Sequence, residues 1–500
     1  MKLIAYDLGT GGVKAALYDE SLRPLAKSFM EYETFYPGPG RHEQRPEDWW
    51  SGVALSTATL LRKSGIDGSE IGGVALSGQS LVAAPLDSQN RLLLDRVPIW
   101  SDMRAVEESR EFFSKIDLKE WYMTTGNGFP PPCYSIFKLM WLRRHQPDVF
   151  GRMDKVLGSK DYINFRMTGK LFIDHSYASG TGGYNLREGR MEGRFWEAAG
   201  LPMSIFPDIV PSHTVIGNMT EEAAEELGLS TKTKVACGGV DNACMALGAV
   251  GAGEGRAYTS LGSSSWIPVN SSIPILDYEK KPYVFAHIAE GLFTSAFSIF
   301  SGGSSLRWVR EVICKDIEDD GAAYRIMDDM AAKSPPGAGG LIFNPSLAGG
   351  TSQDGSIYIK GAYLGLRLGT TREDMIRAAL EGIALNLKMS YDFMKERAPL
   401  EDRLMICGGG GKSPFWLQMF ADVFGVEIIK TNVDQDAAAL GAAAIAARAL
   451  GLWRDYAPLD EMRAVERSYV PDEKNSLLYK KTLKVFRRTA AVIAELGDYM

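Results

Sequence analysis

The sequence is poor in the residues that build metal clusters, redox centres and disulfides. Its 500 residues include only five cysteines and five histidines. No cysteines have the C-x-x-C spacing and no histidines the H-x-x-x-H spacing, which argues against a zinc ribbon, a thioredoxin-like motif and a zincin site. A chain of this length has no need of disulfides for stability, so the few cysteines predict a reducing, cytoplasmic location.

The sequence also lacks an excess of positive charge and a long apolar run. Its net charge is −7, which argues against a nucleic-acid partner, because a phosphate backbone requires a basic face. The N-terminus has neither the basic nor the apolar region of a secretion signal. The most apolar stretch, 436–453, is short, rich in alanine and interrupted by Arg448. It predicts a buried helix and no membrane partner.

Apolar strand-like and helix-like stretches alternate along most of the chain, which predicts an α/β fold. Two segments share the pattern apolar strand, Gly/Ser/Thr turn, apolar strand. They are LIAYDLGTGGVKAALYD (3–19) and RAYTSLGSSSWIPV (256–269). One such hairpin in each of two similar lobes would explain the repetition.

The first hairpin has the composition of a phosphate-binding turn, but it matches neither common phosphate motif. It lacks G-x-x-x-x-G-K-[ST], and Lys14 interrupts the apolar run that would have to be the helix of a dinucleotide fingerprint. A strand–turn–strand can instead present backbone N–H groups and the Thr10 hydroxyl to phosphates, with Gly11 allowing close approach. Asp7, at the end of the first strand, can hold Mg²⁺ through water. An ordinary tight hairpin with a surface aspartate is the alternative.

A second glycine-rich segment, LMICGGGGKSPFWLQMFADVFG (404–425), predicts a strand, a turn and a helix. Ser413 and Pro414 suit the N-cap and first helical position, and Gly425 suits the helix end. The GKS triplet is not a P-loop, because Ile406 stands where the first glycine is required. The glycines either let a flat ring lie against the backbone or simply form a tight turn.

Asp241 lies in KVACGGVDNACMALG (234–248), directly before an apolar helix start. It either caps that helix or acts as a catalytic base that accepts a proton from a substrate hydroxyl.

Taken together, these segments resemble the FGGY carbohydrate kinases, in the branch of xylulokinases and glycerol kinases. The resemblance covers residues 1 to about 450. It rests on the order of several motifs, which are DLGTGGVK (7–14), GRHEQRPEDWW (40–50), SGQSLVAAPLD (77–87), PIWSDMR (98–104), CYSIFKLMWLRRH (133–145), GGVDN (238–242), GAYLGLRLGTTREDMIRAALE (361–381) and GGGGKSPFW (408–416).

The resemblance implies two ribonuclease-H-like, actin-like ATPase lobes around a central cleft, an N-terminal lobe over 1–248 and a C-terminal lobe over 249–500. ATP and Mg²⁺ are the implied cofactors. The resemblance also implies a role for each candidate residue. Asp241 is the implied base, and Asp7 is expected to hold magnesium through water. The phosphates are expected to contact Thr10, Gly11, Lys14, Gly262 and Ser263, the adenosine to contact Gly409, Gly410 and Ser413, and the sugar to contact Gln79, Ser80, Leu81, Trp100 and Asp102.

The sequence therefore predicts ATP-dependent phosphorylation of a sugar or polyol hydroxyl, with a ketopentose as the expected substrate. Glycerol, erythritol or gluconate kinases are alternatives, as is an actin- or chaperone-type nucleotide switch. The sequence leaves a homodimer open. Xylulokinases usually have Met-His where this chain has Ser80 and Leu81, and leucine cannot hydrogen-bond a sugar hydroxyl. We therefore expect D-xylulose not to be the best substrate, unless another residue such as Asp102 or Asn127 supplies the hydrogen bond.

Overall fold

The computed structural model describes residues 1–318, 321–433, 436–497 and 499. The chain divides into two compact units. Unit 1 comprises Met1–Ala252, Val284–Thr294 and Asp436–Met462, and unit 2 comprises Gly253–Tyr283, Ser295–Gln435 and Arg463–Met500. The predicted lobes have a single boundary after residue 248, whereas unit 1 also takes in two later segments.

The described residues form alternating strands and helices. The strands are β1 Lys2–Leu8, β2 Gly12–Tyr18, β3 Pro24–Glu31, β4 Phe35–Gly38, β5 Arg41–Gln44, β6 Ile71–Gly78, β7 Ala84–Asp87, β8 Val97–Pro98, β9 Met153–Leu157, β10 Phe172–Asp174, β11 Tyr184–Asn185, β12 Arg190–Met191, β13 Asp208–Val210, β14 Val215–Asn218, β15 Lys234–Ala236, β16 Gly239–Val240, β17 Tyr258–Leu261, β18 Ser265–Ser271, β19 Tyr283–Ala286, β20 Phe293–Ile299, β21 Ile342–Asn344, β22 Ala362–Leu364, β23 Arg403–Cys407, β24 Glu427–Thr431 and β25 Val465–Tyr469. The helices are α1 Pro46–Ser64, α2 Val106–Phe113, α3 Leu118–Thr125, α4 Ser135–His145, α5 Pro147–Arg152, α6 Ser159–Thr168, α7 His175–Ser179, α8 Gly193–Ala199, α9 Glu221–Leu227, α10 Asp241–Val250, α11 Gly303–Ile313, α12 Ala323–Ala331, α13 Arg372–Lys395, α14 Pro414–Phe424, α15 Ala437–Ala449, α16 Pro458–Met462 and α17 Glu473–Gly497.

The main sheet of unit 1 has the strand order β14-β15-β6-β1-β2-β3, and β16 also pairs with β6. β1 and β2 form the first hairpin, and β6 lies parallel to β1 on its other side. β16 is parallel to β6 as well, with Val240 opposite Gly78. The carboxyl ends of β1, β6 and β16 therefore meet at one edge of the sheet, which is where open α/β sheets bind their ligands.

The sheet of unit 2 repeats this arrangement. Its strands follow the order β20-β18-β17-β23-β24-β25. β17 and β18 form the second hairpin, and β23 and β24 follow β17 in parallel. Each unit thus has a hairpin whose first strand is extended by two parallel strands, so the repetition inferred from the two hairpin sequences extends to the whole sheet.

The alanine-rich stretch forms α15, which packs on α10 within unit 1. The two helices approach so closely that a Cβ on Gly248 would lie 1.9 Å from the Ala437 carbonyl oxygen, and one on Gly441 would lie 2.0 Å from that of Cys244. Small residues are therefore required here for packing, as expected for a buried helix. Within the described ranges, no helix is both long and apolar enough to span a bilayer.

Candidate active site

The turn of the first hairpin is fixed through its carbonyl groups. The Gly9 carbonyl accepts hydrogen bonds from the Tyr32 hydroxyl and from Gln79 Nε2, the latter at 3.1 Å. The Thr10 carbonyl accepts one from Gln44 Nε2 at 2.7 Å. Gln79 Nε2 also donates to Gln44 Oε1 at 2.8 Å. These bonds hold a short glycine-rich turn in one conformation while Thr10 and Gly11 stay exposed.

The glycines of this turn have different structural roles. A Cβ on Gly12 would lie 2.4 Å from the Met30 carbonyl oxygen, so Gly12 is needed by the fold itself. A Cβ on Gly11 would meet no protein atom within 4 Å. The fold therefore does not explain glycine at position 11, whereas a phosphate lying against that backbone would explain it.

Asp7 lies at the sheet edge with its carboxylate mostly buried. Its register partner on β6 is Ser77, whose hydroxyl donates to Asp7 Oδ1 at 2.8 Å. Burial raises the pKa of Asp7, while the Ser77 hydrogen bond and the positive charge of Lys14 lower it. Lys14 is the exposed register partner of Asp7 on β2.

Asp241 follows β16 and is brought to the same edge of the sheet. Its Oδ1 accepts hydrogen bonds from the Asn242 N–H at 2.8 Å and from the Ser80 hydroxyl at 3.3 Å. Burial, and after it repulsion from Asp7, raise the pKa of Asp241 to about 7. Helix α10 begins at Asp241, with Val240 at the N-cap position and no side-chain cap, so the bond to Asn242 is a contact within the first turn. A carboxyl that titrates near neutrality also has the property a general base needs, because it can both accept and release a proton.

These two carboxylates give a physical test of whether a magnesium ion fits. Their mutual repulsion disfavours two negative charges at this edge, and a cation would relieve it. Mg²⁺ commonly takes one or two carboxylates and keeps several waters, so a site built on Asp7 alone is sufficient. Among the residues that the structure describes, no group of three or more histidine, cysteine or acidic side chains forms a closed metal site. The donor set thus fits water-mediated Mg²⁺.

The loop after β6 carries three predicted sugar residues, and its backbone is strained. Leu81 has a φ of +63°, in the left-handed region that leucine rarely adopts, at a cost of about 1–3 kcal/mol. The loop is held by buried groups, since Lys138 Nζ donates to the Leu81 carbonyl at 2.9 Å and the Tyr177 hydroxyl to the Val82 carbonyl at 2.7 Å. Gln79 is buried, and no described residue bonds its Oε1, which remains available as an acceptor.

Trp100 and Asp102, on the loop after β8, are in very different surroundings. Trp100 is 40% exposed, and its indole N–H donates to the Thr10 hydroxyl at 2.9 Å. Asp102 is fully buried, and Arg104 binds both of its carboxylate oxygens, at 2.8 and 2.7 Å. The His42 N–H also donates to it at 2.8 Å. These bonds use the Asp102 oxygens to fix the loop. The role of Asp102 at the sugar site stays a prediction.

In unit 2, the turn of the second hairpin is fixed by the start of α11. The Gly303 N–H donates to the Gly262 carbonyl at 2.8 Å, and the Ser304 N–H donates to the Ser263 carbonyl at 3.0 Å. Ser263 is exposed. As in the first hairpin, the turn carbonyls are tied down within the protein.

The glycine-rich segment forms the predicted strand, turn and helix. Ser413 caps α14 by accepting the Trp416 N–H at 2.9 Å, Pro414 follows it, and Gly425 ends the helix in the left-handed conformation. A Cβ on Gly410 would lie 2.7 Å from the Trp416 ring, whereas one on Gly409 would meet only the Leu261 carbonyl oxygen at 4.0 Å. Gly410 is thus needed for packing, and exposed Gly409 leaves backbone open to a ligand.

A buried network lies behind Asp241 that the sequence did not reveal. The Val240 N–H donates to the Ser176 hydroxyl at 2.9 Å, and Ser176 donates to Asp174 Oδ2 at 2.5 Å. Asp174 pairs with Lys160 at 2.9 Å, and both side chains are buried. The network fixes the backbone immediately before Asp241.

Sequence reasoning also missed Gln44 and Lys138 as residues of the site. Both lie inside segments that had been singled out, GRHEQRPEDWW and CYSIFKLMWLRRH. Polar residues within otherwise apolar or aromatic segments were the available signal. Their partners are backbone carbonyls distant in sequence, which no local pattern specifies.

Two family models cover most of the chain. The N-terminal domain model of the FGGY family of carbohydrate kinases matches residues 2–248, and the C-terminal domain model matches residues 257–450. The chain belongs to the FGGY family of carbohydrate kinases. Family membership favours the kinase over the nucleotide switch, and it makes the protein a phosphotransferase that uses ATP to phosphorylate a sugar or polyol.

Individual FGGY kinases resemble the chain over its full length. The xylulose kinase of Bacillus subtilis (strain 168) is 28% identical over 491 residues, covering 97% of this chain and 96% of the relative. Crystal structures of similar kinases include two with a TM-score of 0.92 that come from different organisms. They are xylulose kinase from Rhodospirillum rubrum, 28% identical and covering 100% of both chains, and gluconate kinase from Lactobacillus acidophilus, 26% identical and covering 100% of this chain and 99% of the other. The predicted two-domain actin-like ATPase fold is confirmed.

Proposed function

We propose that this FGGY kinase transfers the γ-phosphoryl group of Mg·ATP to the terminal hydroxyl of a ketopentose. The observation that carries the proposal is the meeting of Asp241 with Ser80 at 3.3 Å, beside Asp7, at one edge of the unit 1 sheet. Relatives named xylulose kinase, similar over nearly the whole chain, support a ketopentose. A gluconate kinase of similar fold makes aldonic acids the main competing acceptors.

In this proposal Asp241 accepts the proton of the attacking hydroxyl. The oxygen–hydrogen bond of the sugar breaks as the oxygen–phosphorus bond forms, and ADP leaves. The transition state is loose, so positioning contributes more than the strength of the base. Mg²⁺, when bound, would neutralise phosphate charge near Asp7, and Ser77 holds that carboxylate in place.

The other candidate residues are proposed to contact the phosphates, the sugar and the adenosine. In unit 1, Thr10, Gly11 and Lys14 are proposed for phosphate contact. The sugar would contact Gln79, Ser80, Leu81 and Trp100, and a contact with Asp102 stays a prediction. The proposed nucleotide contacts of unit 2 are Gly262 and Ser263 for phosphate, and Gly409, Gly410 and Ser413 for adenosine. None of the five cysteines forms a disulfide and all are buried, in keeping with a cytoplasmic enzyme. A homodimer stays a prediction.

A coupled ADP-release screen tests the proposal. Ketopentoses, polyols such as glycerol and erythritol, and aldonic acids such as gluconate would be compared at equal concentration with saturating Mg·ATP. We expect a ketopentose to give the largest kcat/KM. Stronger turnover with gluconate or glycerol would replace the proposed substrate, and ADP release unaffected by every acceptor would contradict the proposed activity.

A further inference from the structure

Lys138 is buried inside unit 1 at a point where two loops of the candidate site meet. It lies on α4 and is 2% exposed. Its Nζ donates to the Leu81 carbonyl at 2.9 Å and to the Ile99 carbonyl at 2.6 Å. One side chain thus joins the loop after β6 to the loop after β8.

Each of these carbonyls belongs to a residue next to a candidate sugar contact. Leu81 follows Ser80, whose hydroxyl donates to Asp241, and Ile99 precedes Trp100, whose indole donates to Thr10. A shift of the lysine would therefore move one loop relative to the proposed base and the other relative to the phosphate hairpin.

Leu81 gives the strongest reason to regard this contact as a constraint. Its left-handed backbone, at a φ of +63°, persists only where the surroundings enforce it. The bond from Lys138 ends on the carbonyl of that same residue. On the other side of the loop, the Ser159 hydroxyl donates to the Gln79 carbonyl at 3.3 Å.

We propose that Lys138 is a positioning residue that sets the relative geometry of the two substrate loops. It does not touch the reacting atoms. This inference rests on the proposed function, because the two loops matter for turnover only if they contact the sugar. It goes further in naming a buried cation, remote from the chemistry, as a determinant of sugar binding.

The charge of Lys138 gives the proposal a pH signature. Its pKa is lowered to about 8, mainly by burial and to a smaller extent by the positive charge of Arg104, whereas the Asp102 carboxylate opposes the change. Glu43 and Arg96 are the other charged groups lining the cavity of about 50 Å³ beside it. Burial raises the pKa of Cys133 to about 11, so this thiol stays neutral near pH 8. Loss of the ammonium charge above pH 8 weakens both carbonyl contacts.

The test compares Lys138→Met, Lys138→Arg and Arg143→Met with the unchanged protein, using the ketopentose that the unchanged protein turns over best. Arg143 is a matched control, because it lies on the same helix and also donates to two carbonyls, those of Ala199 and Gly200, at 2.7 and 2.8 Å. Steady-state kcat and KM for sugar and for ATP would be measured from pH 6 to 10, beside thermal unfolding.

We expect Lys138→Met to lower kcat/KM for the sugar at least tenfold, with a larger rise in KM for sugar than for ATP. Arg143→Met should stay within about twofold of the unchanged protein. Lys138→Arg, with room in the adjoining cavity, should retain more activity than Lys138→Met and lose the decline in kcat/KM above pH 8.

Two results would overturn the proposal. One is a folded Lys138→Met with kcat/KM within twofold of the unchanged protein. The other is a decline above pH 8 that persists in Lys138→Arg, which decides the matter even if Lys138→Met fails to fold. An unchanged protein that turns over no ketopentose would instead contradict the proposed function.

Discussion

Replacing Asp241 by asparagine should stabilise the protein at alkaline pH and remove most of its turnover. The reason is that the folded protein raises the pKa of this carboxyl from its ordinary value of 3.8 to about 7. At about 1.36 kcal/mol per pKa unit, holding the ionised carboxylate costs the folded state about 4 kcal/mol. Desolvation is the main cause, and repulsion from Asp7 the next.

The sign of the pH dependence follows from linkage. The folded state binds this proton more tightly than the unfolded state does. The resulting stability is therefore fully present below about pH 4 and is lost as the pH rises through about 7. Asparagine carries no charge at either pH. The gain in unfolding free energy on going from Asp241 to asparagine should thus be larger at pH 8 than at pH 4 by up to about 4 kcal/mol.

Thermal unfolding of the two proteins from pH 4 to 8 measures this difference. We expect Asp241→Asn to have the higher Tm at pH 8. The difference in Tm between the two proteins should be larger at pH 8 than at pH 4 by on the order of 5–10 °C. Asp208→Asn, on β13, is the control, because it removes a carboxylate that the fold leaves exposed. At pH 8, kcat of Asp241→Asn should fall about 100-fold or more. A Tm difference that is independent of pH would refute the reasoning about burial, and near-normal turnover would refute the role as base.

Three further predictions address other parts of the site. Gly11→Ala should fold normally but raise KM for ATP, whereas Gly12→Ala should lower Tm because its Cβ meets the Met30 carbonyl oxygen at 2.4 Å; equal effects on folding would contradict the separate roles. Ser176→Ala leaves the Val240 N–H without its acceptor, so we expect the unfolding free energy, measured by denaturation, to fall by about 1–3 kcal/mol. In steady-state kinetics, kcat should fall by a larger factor than KM rises. Because Leu81 offers no polar side-chain atom, D-xylulose should not lead a series of ketopentoses by tenfold in kcat/KM, and a lead of that size would show the inference from Leu81 to be wrong.

The hairpins, the glycine-rich turn and α14 could be predicted from the sequence because their determinants are local. Ser413, Pro414 and Gly425 define the ends of α14 by capping chemistry that a short window contains. The same holds for the first hairpin, where Asp7 and the turn glycines lie within a few residues of one another.

The surroundings of Asp102 and Leu81 could not be predicted, because they depend on distant partners. The sequence predicts Asp102 as a sugar contact but does not reveal that the fold buries it against Arg104 and the His42 backbone. The left-handed conformation of Leu81 depends on its neighbours, among them Lys138, which lies 57 positions later in the chain. The sequence shows the chemistry of each side chain. It does not show which hydrogen-bond acceptors are already used by partners within the protein.

The measurement that tests the central claim most directly is identification of the product formed from Mg·ATP and a ketopentose. Phosphorus NMR and mass spectrometry would follow the reaction beside the ADP assay, with Asp241→Asn in parallel. We predict one ADP for each sugar phosphate, with the phosphate on the terminal oxygen, and a rate about 100-fold or more lower for Asp241→Asn. Release of ADP and inorganic phosphate without a phosphorylated sugar, or equal rates for the two proteins, would contradict the account.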